Sequence, residues 1–160
     1  MPTPFATAKA MALVGLFASL AAVSPAHAAP TACDLITQAQ AAAVFGAQVQ
    51  AGTEAGAAGS DTCLFEAQDN EHSVSLTVLS FASANTAKMM LGALDRPQPG
   101  VTSTPIAGLG ESAVYNASET EGSVWILYHN QVFALDGNNT SNPNLKAAIL
   151  QTARQVLGKK

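Results

Sequence analysis

Apolar residues from Ala29 onward recur at two spacings, every third or fourth position and every second, and each spacing specifies an element. Thr37 with Gln40 three residues later forms a capping box, Ile36 can staple onto Ala41, and Gly46 offers a C-terminal stop. A helix is therefore predicted over Gln38–Phe45, burying Ala41, Val44 and Phe45. Ala51 to Ser60 is rich in Gly and Ala, has no periodicity, and reads as a mobile loop. Thr62 to Ala67, the polar turn Gln68 to Glu71, and Ser73 to Phe81 then predict an antiparallel hairpin with Val74, Leu76 and Val78 on one face. Helical spacing returns over Ala84–Leu94, with Ala87, Met90, Leu91 and Leu94 in line behind a Ser83 cap, and Pro97 and Pro99 prevent continuation.

The second half follows the same sense. Ser112 to Ala117 alternates, Ser118 to Gly122 is a turn, and Ser123 to His129 and Val132 to Asp136 are strand-like, joined tightly at Asn130-Gln131. A last helix starts from an Asn142 cap with Pro143 in its first turn and stops at Gly158. Its inward stripe is Leu145, Ala148, Ile149, Thr152, Val156 and Leu157. Laying Asp61–Val78 over Glu111–Tyr128 aligns Phe65 with Tyr115, Glu71 with Glu121, Val74 with Val124 and Leu76 with Ile126. Either a hairpin–helix unit is duplicated, or two amphipathic hairpins share a common pattern. Both readings predict an α+β domain in which an antiparallel sheet of about five to seven strands packs one face against two or three helices.

The first residues change the picture. Lys9, an uncharged apolar run of about fourteen residues from Ala10 to Val23, and Ser24-Pro25-Ala26-His27-Ala28 together make a secretory signal ending in an Ala-x-Ala site. The run is short of the roughly 20 residues a membrane-spanning helix needs. Residues 1–28 are thus expected to be cleaved, and 29–160 to form one domain that is periplasmic or secreted, with no stable membrane insertion after processing. A lipid anchor at Cys33 is disfavoured, because the apolar run ends well upstream and Pro30-Thr31-Ala32 lacks the expected Leu. Cys33 and Cys63 are the only cysteines, and export puts them where a disulfide persists. Cleavage removes Lys9 and no acidic residue, so the formal charge moves from −4 to −5. With no Lys/Arg cluster, nucleic acid is not an expected partner.

Catalytic constellations are sparse. Gly110-Glu111-Ser112-Ala113-Val114 begins like a nucleophile elbow but lacks the closing glycine and runs into a strand. Glu119 and Glu121 share a solvated turn, and Asp69, Glu71 and His72 lack a second cluster to complete a metal site. Gly108-Leu109-Gly110 lacks the Lys-Ser/Thr pair and helix of a phosphate cradle, so no cofactor is predicted. Asn116-Ala117-Ser118 and the Asn138–Ser141 segment fit glycosylation acceptors but read as turn residues. Trp125 and Tyr128 point to opposite faces, and Trp125 with Leu127 and His129 forms the candidate surface for a ligand or partner.

Three motifs carry a resemblance: Cys33-Asp34-Leu35-Ile36-Thr37 with Gly46, Cys63-Leu64-Phe65, and Gly108-Leu109-Gly110-Glu111-Ser112-Ala113. The layout resembles a loose group of small exported bacterial proteins and lipoproteins of unknown function. That resemblance implies the Cys33–Cys63 bridge and an α+β fold, and brings no catalytic residue. The resulting expectation is a non-catalytic exported module that binds an unknown protein or small ligand. The alternatives are a periplasmic enzyme inhibitor presenting the Ala51–Ser60 loop, or a hydrolase whose site gathers Asp34, Glu66, Glu111, His72 and His129 from distant positions.

Overall fold

The computed structural model describes residues 30–68, 71–96, 98–138 and 142–158. The expected signal segment, Asp69, Pro97 and residues 139–141 lie outside them. In chain order the elements are α1 (Ala32–Leu35), α2 (Gln38–Phe45), β1 (Thr53–Ala57), β2 (Ser60–Glu66), β3 (Ser73–Ser80) and α3 (Ala84–Leu94). They continue with β4 (Thr102–Pro105), β5 (Ser112–Ala117), β6 (Glu121–Tyr128), β7 (Gln131–Asn138) and α4 (Leu145–Leu157). The seven strands form one antiparallel sheet in the order β1-β2-β3-β7-β6-β5-β4, so the fold is α+β. The last strand lies at its centre, paired with β3 on one side and β6 on the other.

Local chemistry explains the helices. Thr37 accepts the Gln40 N–H while the Gln40 side chain accepts the Thr37 N–H at 2.8 Å, and Gly46 closes α2 at φ 83°. Ser83 accepts the Thr86 N–H and starts α3. Helix α4 begins later than its sequence suggests, at Leu145. Asn142 still organises that end: its carbonyl side-chain oxygen accepts the Asn144 N–H at 2.9 Å, and its amide donates to the Val44 carbonyl of α2 at 2.8 Å.

Alternation along the strands builds two cores. On one face Val74, Leu76, Val124, Ile126, Phe133 and Leu135 pack beneath α2 and α4, against Val44, Ile149 and Val156. Gly137 lets the helices come close, since a Cβ there would stand 3.0 Å from Val44 and 3.1 Å from Leu145. On the other face α3 sets Ala87 and Leu91 over Val114, Leu127 and Val132. The first face therefore carries α1, α2 and α4, as the amphipathic strands require, and the second carries α3 alone. One helix covers only part of that face.

Cys33 of α1 is disulfide-bonded to the buried Cys63 of β2, and Asp61 of β2 accepts the Ala32 N–H at 2.7 Å, so the short first helix is fixed twice to one strand. The segment Ala51–Ser60, expected to be a mobile loop, instead contributes β1, which pairs with β2 across a turn at Gly59. All five β1 residues are exposed, which is why no apolar alternation announced the strand. Strand β4, four polar or Pro-terminated residues at the opposite edge, likewise carries no apolar alternation that would predict it. The β6–β7 turn falls on His129-Asn130, because Gln131 already pairs with Tyr128.

The two aligned hairpins share their register. Phe65 pairs with Val74 as Tyr115 pairs with Val124, and Cys63 with Leu76 as Ala113 with Ile126. The helices do not follow this symmetry, for α2 and α3 cover opposite faces.

Candidate functional site

On the second face, beyond the end of α3, the sheet is hollowed into a cleft of about 450 Å³. Its floor comes from three adjacent strands. Ser73 and Ser75 project from β3, Asp136 from β7, and Ser123 and Trp125 from β6, all at positions that alternate away from the α2/α4 core. Leu94 at the end of α3, with Gln98 and Val101 from the segment leading to β4, forms one wall. Asn116 and Glu121 stand at the rim side of β5 and β6, and Ser103 of β4 holds Asn116 by donating to its side-chain oxygen at 2.7 Å.

Asp136 is the unusual residue. The register places it between Ser75 on β3 and Ser123 on β6, in the middle of the sheet. Burial pushes its carboxyl up from 3.8 to about 6; the Ser75 hydroxyl donates to it and works the other way, while the nearby Glu121 charge raises it further. A carboxyl so placed is charged at neutral pH and protonated in mildly acidic surroundings. Trp125 lies half-buried beside it, its indole Nε1–H donating to Ser123 Oγ at 3.1 Å, so the ring is held rather than free to rotate. No Lys, Arg or His lines the cleft among the described residues.

The three residues of the predicted surface share one face of β6 and its turn but have different surroundings. Trp125 lines the cleft. Leu127, at 3% exposure, is packed under α3, because α3 lies on the face that the sequence left open. His129 is at the far turn with a φ of 56°, its side chain 73% exposed, its N–H donating to Glu111 at 2.8 Å and its ring 4.4 Å from that of Tyr128. Tyr128 itself turns to the other face, edge-on to Phe133.

Nor does the fold gather the scattered catalytic candidates. His72 precedes β3, at the end where Val74 pairs with Gly137, and its ring lies 5.9 Å from that of Phe45. His129 follows β6, at the end where Ser80 pairs with Gln131, so the two histidines are roughly 25–30 Å apart along the strands. Asp34 accepts the Thr31 N–H at 2.8 Å in α1, and Glu66 is exposed at the end of β2. Of the five, Glu111 and His129 come together, at 3.4 Å on open surface. Ser112 is an exposed strand-opening residue paired with Leu127. Among the described residues, no group of three His, Cys, Asp or Glu could hold a metal ion, and no helix is long and apolar enough to cross a membrane.

Sequence reasoning missed Asp136, although a signal existed. A carboxylate following the apolar run Val132-Phe133-Ala134-Leu135, in a strand buried on both faces, is costly to bury without a purpose.

No family model matches the chain, and no curated protein does. Among solved structures, the crystal structure of the extracellular domain of PknH from Mycobacterium tuberculosis is similar, with a TM-score of 0.53 and 11% sequence identity. The likeness covers 78% of this chain and 91% of that one. At that identity what the two chains share is the fold, an antiparallel sheet with helices against it.

Proposed function

We propose that this protein is an exported, non-catalytic binding module, periplasmic or secreted, and that the cleft around Asp136 and Trp125 is where it takes a small ligand. The observation that carries the reading is the cleft itself: about 450 Å³, lined by an ordered indole, four serines and a partly buried carboxyl, with no histidine or cysteine among its described lining residues. Binding sites of this size combine an apolar wall with a few placed polar groups, and Leu94, Val101 and Trp125 supply the first while Ser75, Ser123 and Asp136 supply the second. The Ala-x-Ala signal and the Cys33–Cys63 bridge support export. The similar fold of a domain that is itself extracellular agrees with such a location.

Native mass spectrometry of the protein purified from its own host tests this reading. The expected result is a chain beginning near Ala29 that carries a co-purifying small mass, displaced when Trp125→Ala is introduced. Retention of Met1 would overturn export, and a bound mass indifferent to Trp125→Ala would place the ligand elsewhere.

A further inference from the structure

The chemical class of ligand can be taken a step further, on the assumption that the cleft is a binding site. We infer that it accepts a small organic cation, a protonated amine on an apolar body, with the charged end at Asp136 and the body against Trp125.

Every charged group among the described lining residues is negative. Asp136 stands on the floor and Glu121 at the rim, close enough for the Glu121 charge to bear on Asp136, and no described Lys, Arg or His lines the cleft to neutralise them. An anionic ligand entering there would meet two carboxylates in a partly water-excluded site, where like charges repel more strongly than in bulk water. A cation relieves that repulsion. Asp136 also has acceptor capacity to offer: the Ser75 hydroxyl engages one of about four lone-pair positions on an ionised carboxylate.

The geometry around the carboxylate suits an amine rather than a bare metal ion. Fewer than three metal-type ligands meet among the described residues, whereas an ammonium needs only a carboxylate and one or two further oxygens. Ser73, Ser75 and Ser123 flank Asp136 on both neighbouring strands and can supply them. The indole of Trp125, two residues along β6 from Ser123 and fixed by it, gives a face that attracts a cation and covers an apolar chain. Leu94 and Val101 complete an apolar wall. The cleft thus has a cation-seeking floor and an apolar flank.

Trp125 is the only tryptophan, so its emission reports on this cleft alone. The experiment is a fluorescence titration of the mature, disulfide-bonded protein with 4-phenylbutylamine, 4-phenylbutanol and 4-phenylbutyrate, excited where the phenyl ring does not absorb. The three probes share a body and differ in the charge of the head. The amine is expected to give a saturable change and to bind at least about tenfold more tightly than the alcohol, as a charge-assisted hydrogen bond provides, with the carboxylate weakest. Asp136→Asn should bring the amine to the level of the alcohol, and its thermal unfolding curve shows whether that variant is folded. Glu121→Gln, at the rim, should weaken the amine less.

Binding of the alcohol or the carboxylate as tight as that of the amine would overturn the cation class while leaving the cleft a binding site. Silence of all three probes would overturn the inference too. The binding reading falls with it only if protein from the native host also carries no co-purifying mass.

Discussion

Asp136 stands directly opposite Ser75 in the β3–β7 ladder and accepts a hydrogen bond from its hydroxyl, yet its carboxyl remains raised to about 6. One neutral donor does not offset removal from water in the middle of a sheet.

A pH dependence of stability follows. The folded-state value lies above the ordinary 3.8, so the native protein holds this proton more firmly than the unfolded chain. The contribution of Asp136 is fully present below pH 3.8 and is lost as pH rises through about 6, on the order of 3 kcal/mol across the window. Asp136→Asn, which mimics the protonated form, should be more stable than the parent at pH 7 and nearly equal to it at pH 4. Urea unfolding at both values checks this; parallel behaviour of the two proteins would mean that Asp136 is not desolvated.

The bridge between Cys33 and Cys63 spans a sequence separation of 30 and anchors α1 over β2. Chain entropy assigns such a loop about 3.5 kcal/mol. Cys33→Ser with Cys63→Ala should therefore lower the urea midpoint by that equivalent, with a further loss from the packing around the fully buried Cys63.

Gly110 and Gly100 both have positive φ, 62° and 75°. A Cβ at Gly110 would lie 2.5 Å from the Leu127 carbonyl oxygen, whereas one at Gly100 meets nothing within 4 Å. Gly100→Ala should cost about 1 kcal/mol, the conformational penalty alone. Gly110→Ala should cost clearly more, and comparison of the two thermal midpoints separates strain from collision.

Asn142 satisfies the end of one helix and the start of another, donating to Val44 and accepting from Asn144. Its replacement by Ala should destabilise the fold by about 1–2 kcal/mol. Hydrogen exchange is expected to rise first at Leu145 and its neighbours; uniform change across the chain would argue against a local role.

Elements marked by their own residues were legible before the structure. Thr37, Gln40 and Gly46 delimit α2, Ser83 starts α3, and Ser112 to Ala117 is β5 as its alternation implied. Strands β1 and β4 were not, because edge strands with few buried side chains owe their existence to a partner's backbone and leave no periodic trace. The placement of α3 on the second face was equally hidden: Val114, Leu127 and Val132 look like ordinary strand residues until the sheet is assembled. The cleft was least visible of all. Trp125 could be picked out as a large amphipathic residue, but Ser75, Asp136 and Glu121 lie on three strands whose adjacency depends on β7 entering between β3 and β6.

That insertion has a consequence for how the chain matures. Synthesis proceeds from the N-terminus, so β3 and β6 each wait with an unsatisfied edge until Gln131–Asn138 emerges and joins them. A fragment ending before Gln131 would retain both hairpins and the cystine but present two sticky borders to its neighbours. Premature termination in this gene should thus yield aggregates rather than a smaller soluble product.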